Sequence, residues 1–105
     1  MKYRIEFSVD SQREFERLKV FKRRRVFDAV QQQLGDEPDV PSRNRKCLGD
    51  QVTANFVYVP PLWELRVDDV RVFYEVDAQV STVFLLAVRL KPPTKTTAQV
   101  LNETD

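Results

Sequence analysis

Residues 62–77 read LWELRVDDVRVFYEVD. Polar and apolar residues alternate from Leu62 to Val67 and again from Val70 to Val76, with Asp68-Asp69 between the runs. A two-residue period marks a half-buried strand, and two such runs separated by a two-residue turn mark a β-hairpin. Strand side chains point alternately to opposite faces. Trp63, Leu65 and Val67 form one apolar set, and Val70, Val72, Tyr74 and Val76 form its partner. The second face then carries Glu64, Arg66, Arg71, Phe73 and Glu75. Two explanations fit arginines in so apolar a hairpin. Either a wet face holds cross-strand ion pairs with the glutamates, or the guanidinium groups face an anion such as phosphate.

The flanking sequence places this hairpin in a sheet. Tyr3, Ile5, Phe7 and Val9 alternate with polar residues and predict a first strand over Lys2–Val9. Ser11 with Glu14 three residues later has the pattern of a capping box, and Phe15 and Leu18 fall on one helical face. Val26, Val30 and Leu34 then share a face of a second helix, from about Lys22 to the stop at Gly35. A turn at Val20-Phe21 makes these a helical hairpin able to cover one sheet face. Residues 35–50, GDEPDVPSRNRKCLGD, read as a loop. ANFVYVPPLWEL regains strand character, interrupted by Pro60-Pro61. The apolar run Val80–Leu90 predicts a strand covered on both faces, with Arg89 and Lys91 in the parity of Val83, Leu85 and Ala87. The expected fold is α+β: an N-terminal strand, a helical hairpin, then an antiparallel sheet. It forms a single domain over 1–91, followed by a polar, mobile tail over 92–105.

Composition narrows the chemistry. The 105 residues are 42% apolar, enough for one core. Net charge is +1, which argues against strong non-specific nucleic-acid binding by the chain as a whole. The charge is uneven: residues 1–50 hold 12 basic and 9 acidic side chains, and residues 51–105 hold 5 and 7. The basic residues cluster in KRRR at 22–25 and RNRK at 43–46. Histidine is absent, which removes the commonest general base and metal ligand. Cys47 is the single cysteine, so no intramolecular disulfide forms and a zinc site is not expected. No metal or other cofactor is expected. No apolar run is long enough for a signal peptide or a membrane span, so a cytoplasmic location is expected. Of the basic clusters, Arg43, Arg45 and Lys46 lie beside the hairpin and are the better candidates to contact a phosphate backbone. Trp63 and Tyr74 read as core. Phe73 shares the face of Arg71 and is a candidate to stack on a base or to be covered by a partner.

RNRKCL, PPLWELRVDDVRVFYEVD and VFLLAVRLK together resemble the RelE/ParE superfamily of toxins from bacterial type II toxin–antitoxin systems. The resemblance lies in a W-x-L-R strand turning into an R-V-x-Y strand, then a strand ending in L-A-V and a basic residue. It covers about residues 2–91. Departures include Asp68 where the family usually has glycine, Arg89 in place of another glycine, and no tyrosine after Lys91. The resemblance implies a RelE-like microbial ribonuclease type of fold and, in RelE-like members, ribosome-dependent, metal-independent cleavage of mRNA by attack of a ribose 2′-OH on the adjacent phosphate. It assigns Arg71 and Lys91 to the phosphate, with Arg66 and Arg89 in support, and leaves Glu64 or Glu75 as a candidate base. ParE-like members share the fold and instead poison DNA gyrase by binding. Either class implies a cognate antitoxin as partner; the first adds the ribosome and mRNA.

Overall fold

A computed structural model of the chain describes residues 2–103. Its elements in chain order are β1 (Arg4–Phe7), α1 (Val9–Glu16), α2 (Val20–Leu34), β2 (Arg45–Gly49), β3 (Leu62–Val67), β4 (Val70–Asp77), β5 (Thr82–Leu90) and α3 (Thr97–Leu101). The strands form one sheet in the order β1-β5-β4-β3-β2. The β2–β3, β3–β4 and β4–β5 pairs are antiparallel, whereas β1 pairs with β5 in parallel. The fold is α+β as expected, but the sheet is mixed rather than purely antiparallel. The two helices between β1 and the rest of the sheet carry the chain across it.

The hairpin forms with Val67 opposite Val70 and Asp68-Asp69 at the turn. Asp68 has φ +54°, a left-handed conformation that Asp tolerates better than most residues. The predicted apolar set is buried. Leu65, Val72 and Tyr74 are fully covered and pack with Val26, Val30 and Leu34 of α2. Trp63 stacks on Tyr74 with ring centroids 6.2 Å apart, and the Tyr74 hydroxyl donates to the Pro38 carbonyl at 2.7 Å. Burial raises the Tyr74 pKa well above its ordinary value.

Helix boundaries differ from the expectation. Ser8, not Ser11, caps α1: its Oγ accepts the Ser11 N–H at 3.0 Å. The break between helices falls before Val20, which with Phe21 belongs to α2. Gly35 ends α2 with φ −74°, not in the left-handed region. A Cβ there would lie 2.7 Å from the Gln31 carbonyl oxygen, so close approach is what requires glycine. The KRRR cluster at the start of α2 meets the hairpin turn. Lys22 Nζ lies 2.7 Å from Asp69, and Arg25 binds the Asp68 carboxylate with both Nε and Nη2. The turn carboxylates compensate cations at a helix start that the helix dipole disfavours.

The second face of the sheet is covered as well. Leu62, Phe73 and Ala87 form a smaller core with Val100 and Leu101 of α3, flanked by Phe56, Tyr58 and Leu86. The segment after Lys91, expected as a mobile tail, therefore folds back onto the sheet. α3 carries a capping box between Thr96 and Gln99. Only two of its side chains, Val100 and Leu101, are buried, too few for a periodic pattern to show in the sequence.

Candidate functional site

Cross-strand register sets out the charged positions. Arg66 lies opposite Arg71, and Arg71 opposite Arg89, so three arginines form one row across β3, β4 and β5. In the next row Lys46 faces Glu64, and Glu64 faces Phe73. Arg89 reaches this face because β5 has a bulge. Tyr74 pairs with Leu85 and Phe73 with Ala87, leaving Leu86 as the extra residue. Beyond the bulge the side-chain alternation reverses. Val83 and Leu85 pack toward α2, while Ala87 belongs to the opposite core. Continuous parity through Val83, Leu85, Ala87 and Arg89, as expected from the sequence, thus does not hold. α1 supports the bulge: the Ser8 N–H and the Ser11 Oγ both donate to the Leu85 carbonyl, at 2.9 and 2.7 Å.

The structure separates the arginines by role. Arg89 Nε donates to Glu14 at 2.9 Å and its Nη1 to the Val100 carbonyl at 2.8 Å; the guanidinium lies 5.4 Å from the Phe56 ring centroid. Glu14 also accepts the Val88 N–H at 3.0 Å. Arg89 therefore ties α1, β5 and α3 together, and its supporting place at a phosphate is not what the contacts show. Arg71 is 8% exposed, and its Nη1 donates to the Asp68 and Val70 carbonyls at 2.8 and 3.0 Å. Burial, and next the neighbouring Arg66 cation, lower its pKa. As folded, Arg71 braces the hairpin turn. Arg66, by contrast, is exposed.

Phe73 is fully buried, 6.2 Å from Phe56 between ring centroids, so it is no platform for a base. Phe73 faces the side its parity predicts, but residues 50–61 and α3, which have no pattern of their own, cover this face. Glu75 accepts the Val59 N–H at 3.0 Å. The cross-strand ion pairs considered for Glu64 and Glu75 do not form among the described residues. Lys91 is half-buried at the end of β5, its N–H on the Asp69 carbonyl. It is not among the residues lining the cleft described next.

That cleft, of about 420 Å³, is lined by Arg43, Arg45, Lys46, Cys47, Glu64 and Arg66, with residues 41, 42 and 44 at its rim. RNRK is not wholly a loop, since Arg45 and Lys46 open β2. Arg45 is a brace: its Nε donates to the Val40 carbonyl at 2.8 Å, and its Nη1 to Gln33 O and Oε1 at 2.9 and 2.8 Å. Arg43, Lys46 and Arg66 are exposed and make no hydrogen bond or ion pair through their charged groups among the described residues. Glu64 is 5% exposed, and its Oε2 is buried with no hydrogen-bond partner. An unpaired buried carboxylate oxygen is costly, and such groups concentrate where a ligand or a reaction needs them. The cleft can therefore hold an anion on three cations beside a proton acceptor. Cys47 is an exposed free thiol at its edge. No cluster of three or more His, Cys, Asp or Glu among the described residues is placed to hold a metal ion, and no helix there is long and apolar enough to cross a membrane.

A family model described as the ParE toxin of the type II toxin–antitoxin system parDE matches residues 5–90. The chain belongs to the ParE toxin family. Solved structures show the same fold at low identity. The RelE–RelB complex of the archaeon Pyrococcus horikoshii is similar at 22% identity over 91% of this chain and 100% of that one, with a TM-score of 0.67. An arginine double mutant of Escherichia coli RelE in the free state is similar at 20% identity over 90% and 88%, with a TM-score of 0.66. The RelBE2 toxin–antitoxin complex of Mycobacterium tuberculosis is similar at 22% identity over 87% and 100%, with a TM-score of 0.59. No curated protein sequence matches the chain significantly. Within this ParE-family chain, Glu14 is a scaffold contact of Arg89 that sequence reading missed. Its capping-box spacing concealed a side chain that reaches across to β5.

Proposed function

We propose that this type II toxin inhibits translation by cleaving mRNA on the ribosome, without a metal, and that a cognate antitoxin protein holds it inactive in the cytoplasm. The observation that carries the reading is the Glu64 carboxylate, buried and partly unpaired in a cleft with the cations Arg43, Lys46 and Arg66. Cleavage by transesterification needs a base for the ribose 2′-OH and positive charge for the phosphate as it gains negative character. Glu64 accepts the 2′-OH proton. Arg66 and Lys46, its neighbours on the same face, hold the phosphate oxygens, and Arg43 steers the strand. Arg71 acts as a positioning residue: bound to the turn carbonyls, it fixes the end of β3 from which Arg66 projects. Lys91 and Arg89 flank this centre rather than form it. The antitoxin partner follows from the family and from the relatives solved as toxin–antitoxin complexes.

A second reading, gyrase poisoning by binding, draws on the family model and on the engagement of Arg71 and Arg89 by the scaffold. Two assays separate the readings. Primer extension on mRNA from translating ribosomes shows new 5′ ends within A-site codons if the first is correct. Intact mRNA together with accumulation of gyrase-cleaved DNA would establish the second.

A further inference from the structure

We propose that the groove between α2 and the end of β3 is a base-recognition subsite, continuous with the cationic cleft, for the nucleotide next to the phosphate held there. The inference rests on the RNA-cleaving reading and adds the path of the strand. This second groove, of about 370 Å³, shares Arg66 and Asn44 with the cleft, so the two adjoin at these residues. Both volumes lie in the range of small-ligand sites, roughly 300–1,000 Å³.

The two halves differ in charge. In the cleft, Arg43, Lys46 and Arg66 outnumber Glu64. In the groove, the Arg25 charge is matched by Asp68, and Asp28 lines the same walls as Arg66. A phosphate gains little there. What the groove offers instead is side-chain amides. Those of Gln32 and Asn44 have no hydrogen-bond partner among the described residues, whereas the Gln33 amide oxygen is taken by Arg45. An amide presents a donor and an acceptor side by side, which matches the edge of adenine, where an exocyclic amine adjoins a ring-nitrogen acceptor. Phosphate contacts fix a strand in place, and base-edge contacts of this kind give it sequence preference. The adjoining cleft and groove supply one part each.

The test is fluorescence anisotropy of the full chain with short 2′-O-methyl oligonucleotides, which lack the attacking hydroxyl and stay intact. Oligoadenylate and oligouridylate are compared across a salt series. Wild type is expected to prefer oligoadenylate. The double variant Gln32→Ala/Asn44→Ala should lose that preference, a drop of roughly fivefold or more for oligoadenylate, with the salt dependence unchanged. The double variant Arg43→Ala/Lys46→Ala should weaken both oligonucleotides alike and flatten the salt dependence. Equal binding of both oligonucleotides by wild type, or full retention of the preference in the amide variant, would overturn the subsite and leave the cationic cleft standing. A flattened salt dependence in the amide variant would make the groove a second phosphate site and equally refute the proposal. No affinity of wild type for either oligonucleotide would overturn the subsite, whereas the ribosome-dependent reading stands or falls on A-site cleavage. Gln32 is exposed and Asn44 half-buried, and unchanged melting of the variants confirms that folding is not what is being measured.

Discussion

Arg89 and Asp68 show how a single charged side chain is assigned to structure or to chemistry. Arg89 is largely covered and held by Glu14, the Val100 carbonyl and the Phe56 ring. Removing one partner of such a pair leaves the other charge without compensation. Arg89→Ala should therefore lower stability by about 3 kcal/mol. The check is a urea midpoint that falls with an unchanged slope; an unaltered midpoint would show the contacts to be incidental. Asp68 is fully exposed, yet its hydrogen bond to Arg25 holds its carboxyl below the usual carboxylate range. A folded pKa below the unfolded value of about 3.9 means that the stabilisation is complete above that value. It is lost as pH falls through the folded pKa. An NMR titration of the Asp68 carboxyl should give a midpoint under about 3.9 that moves upward with added salt, because exposed pairs are screened. A midpoint at or above the reference would mean that the pair to Arg25 does not form in solution.

At the level of elements, the sequence was most legible where periodicity was long. The hairpin, the first strand, the apolar face of α2 and the covered strand β5 all followed from alternation or helical spacing, and they meet in one core. Short or irregular pieces escaped for physical reasons. β2 is five residues with a bulge and a glycine, and nothing in RNRKCLG alternates. The bulge at Leu86 sits inside an all-apolar run, where a change of face leaves no trace in the pattern, so Arg89 was placed by the wrong parity. α3 was hidden by its length. Its contribution is measurable, since Leu101 is 2% exposed in the core that covers Phe73. Leu101→Ala should cost about 2–4 kcal/mol in chemical unfolding. A change under about 0.5 kcal/mol, as at surface sites, would mean that α3 does not seal this face.

Taken as a whole molecule, the chain places a two-sided sheet so that one covered face still opens at its β2–β3 edge. Helices α1 and α2 seal one side, and residues 50–61 with α3 seal most of the other. What stays open is the cleft, lined by exposed Arg43, Lys46 and Arg66 and by Glu64, whose buried Oε2 has no partner among the described residues. Of the nine side chains the sequence singled out for the site, five line that cleft: Glu64, Arg66, Arg43, Arg45 and Lys46. Arg71 and Phe73 were legible as facing the same side but not as buried, because burial depended on segments with no pattern of their own. The measurement closest to the central claim is toeprinting of one mRNA on translating ribosomes with wild type and Glu64→Gln, alongside ribosome pelleting. Loss of the acceptor should slow A-site cleavage by roughly 10²–10⁴-fold while ribosome association stays at the wild-type level. Cleavage by Glu64→Gln at the wild-type rate would contradict the assignment of Glu64 as the proton acceptor.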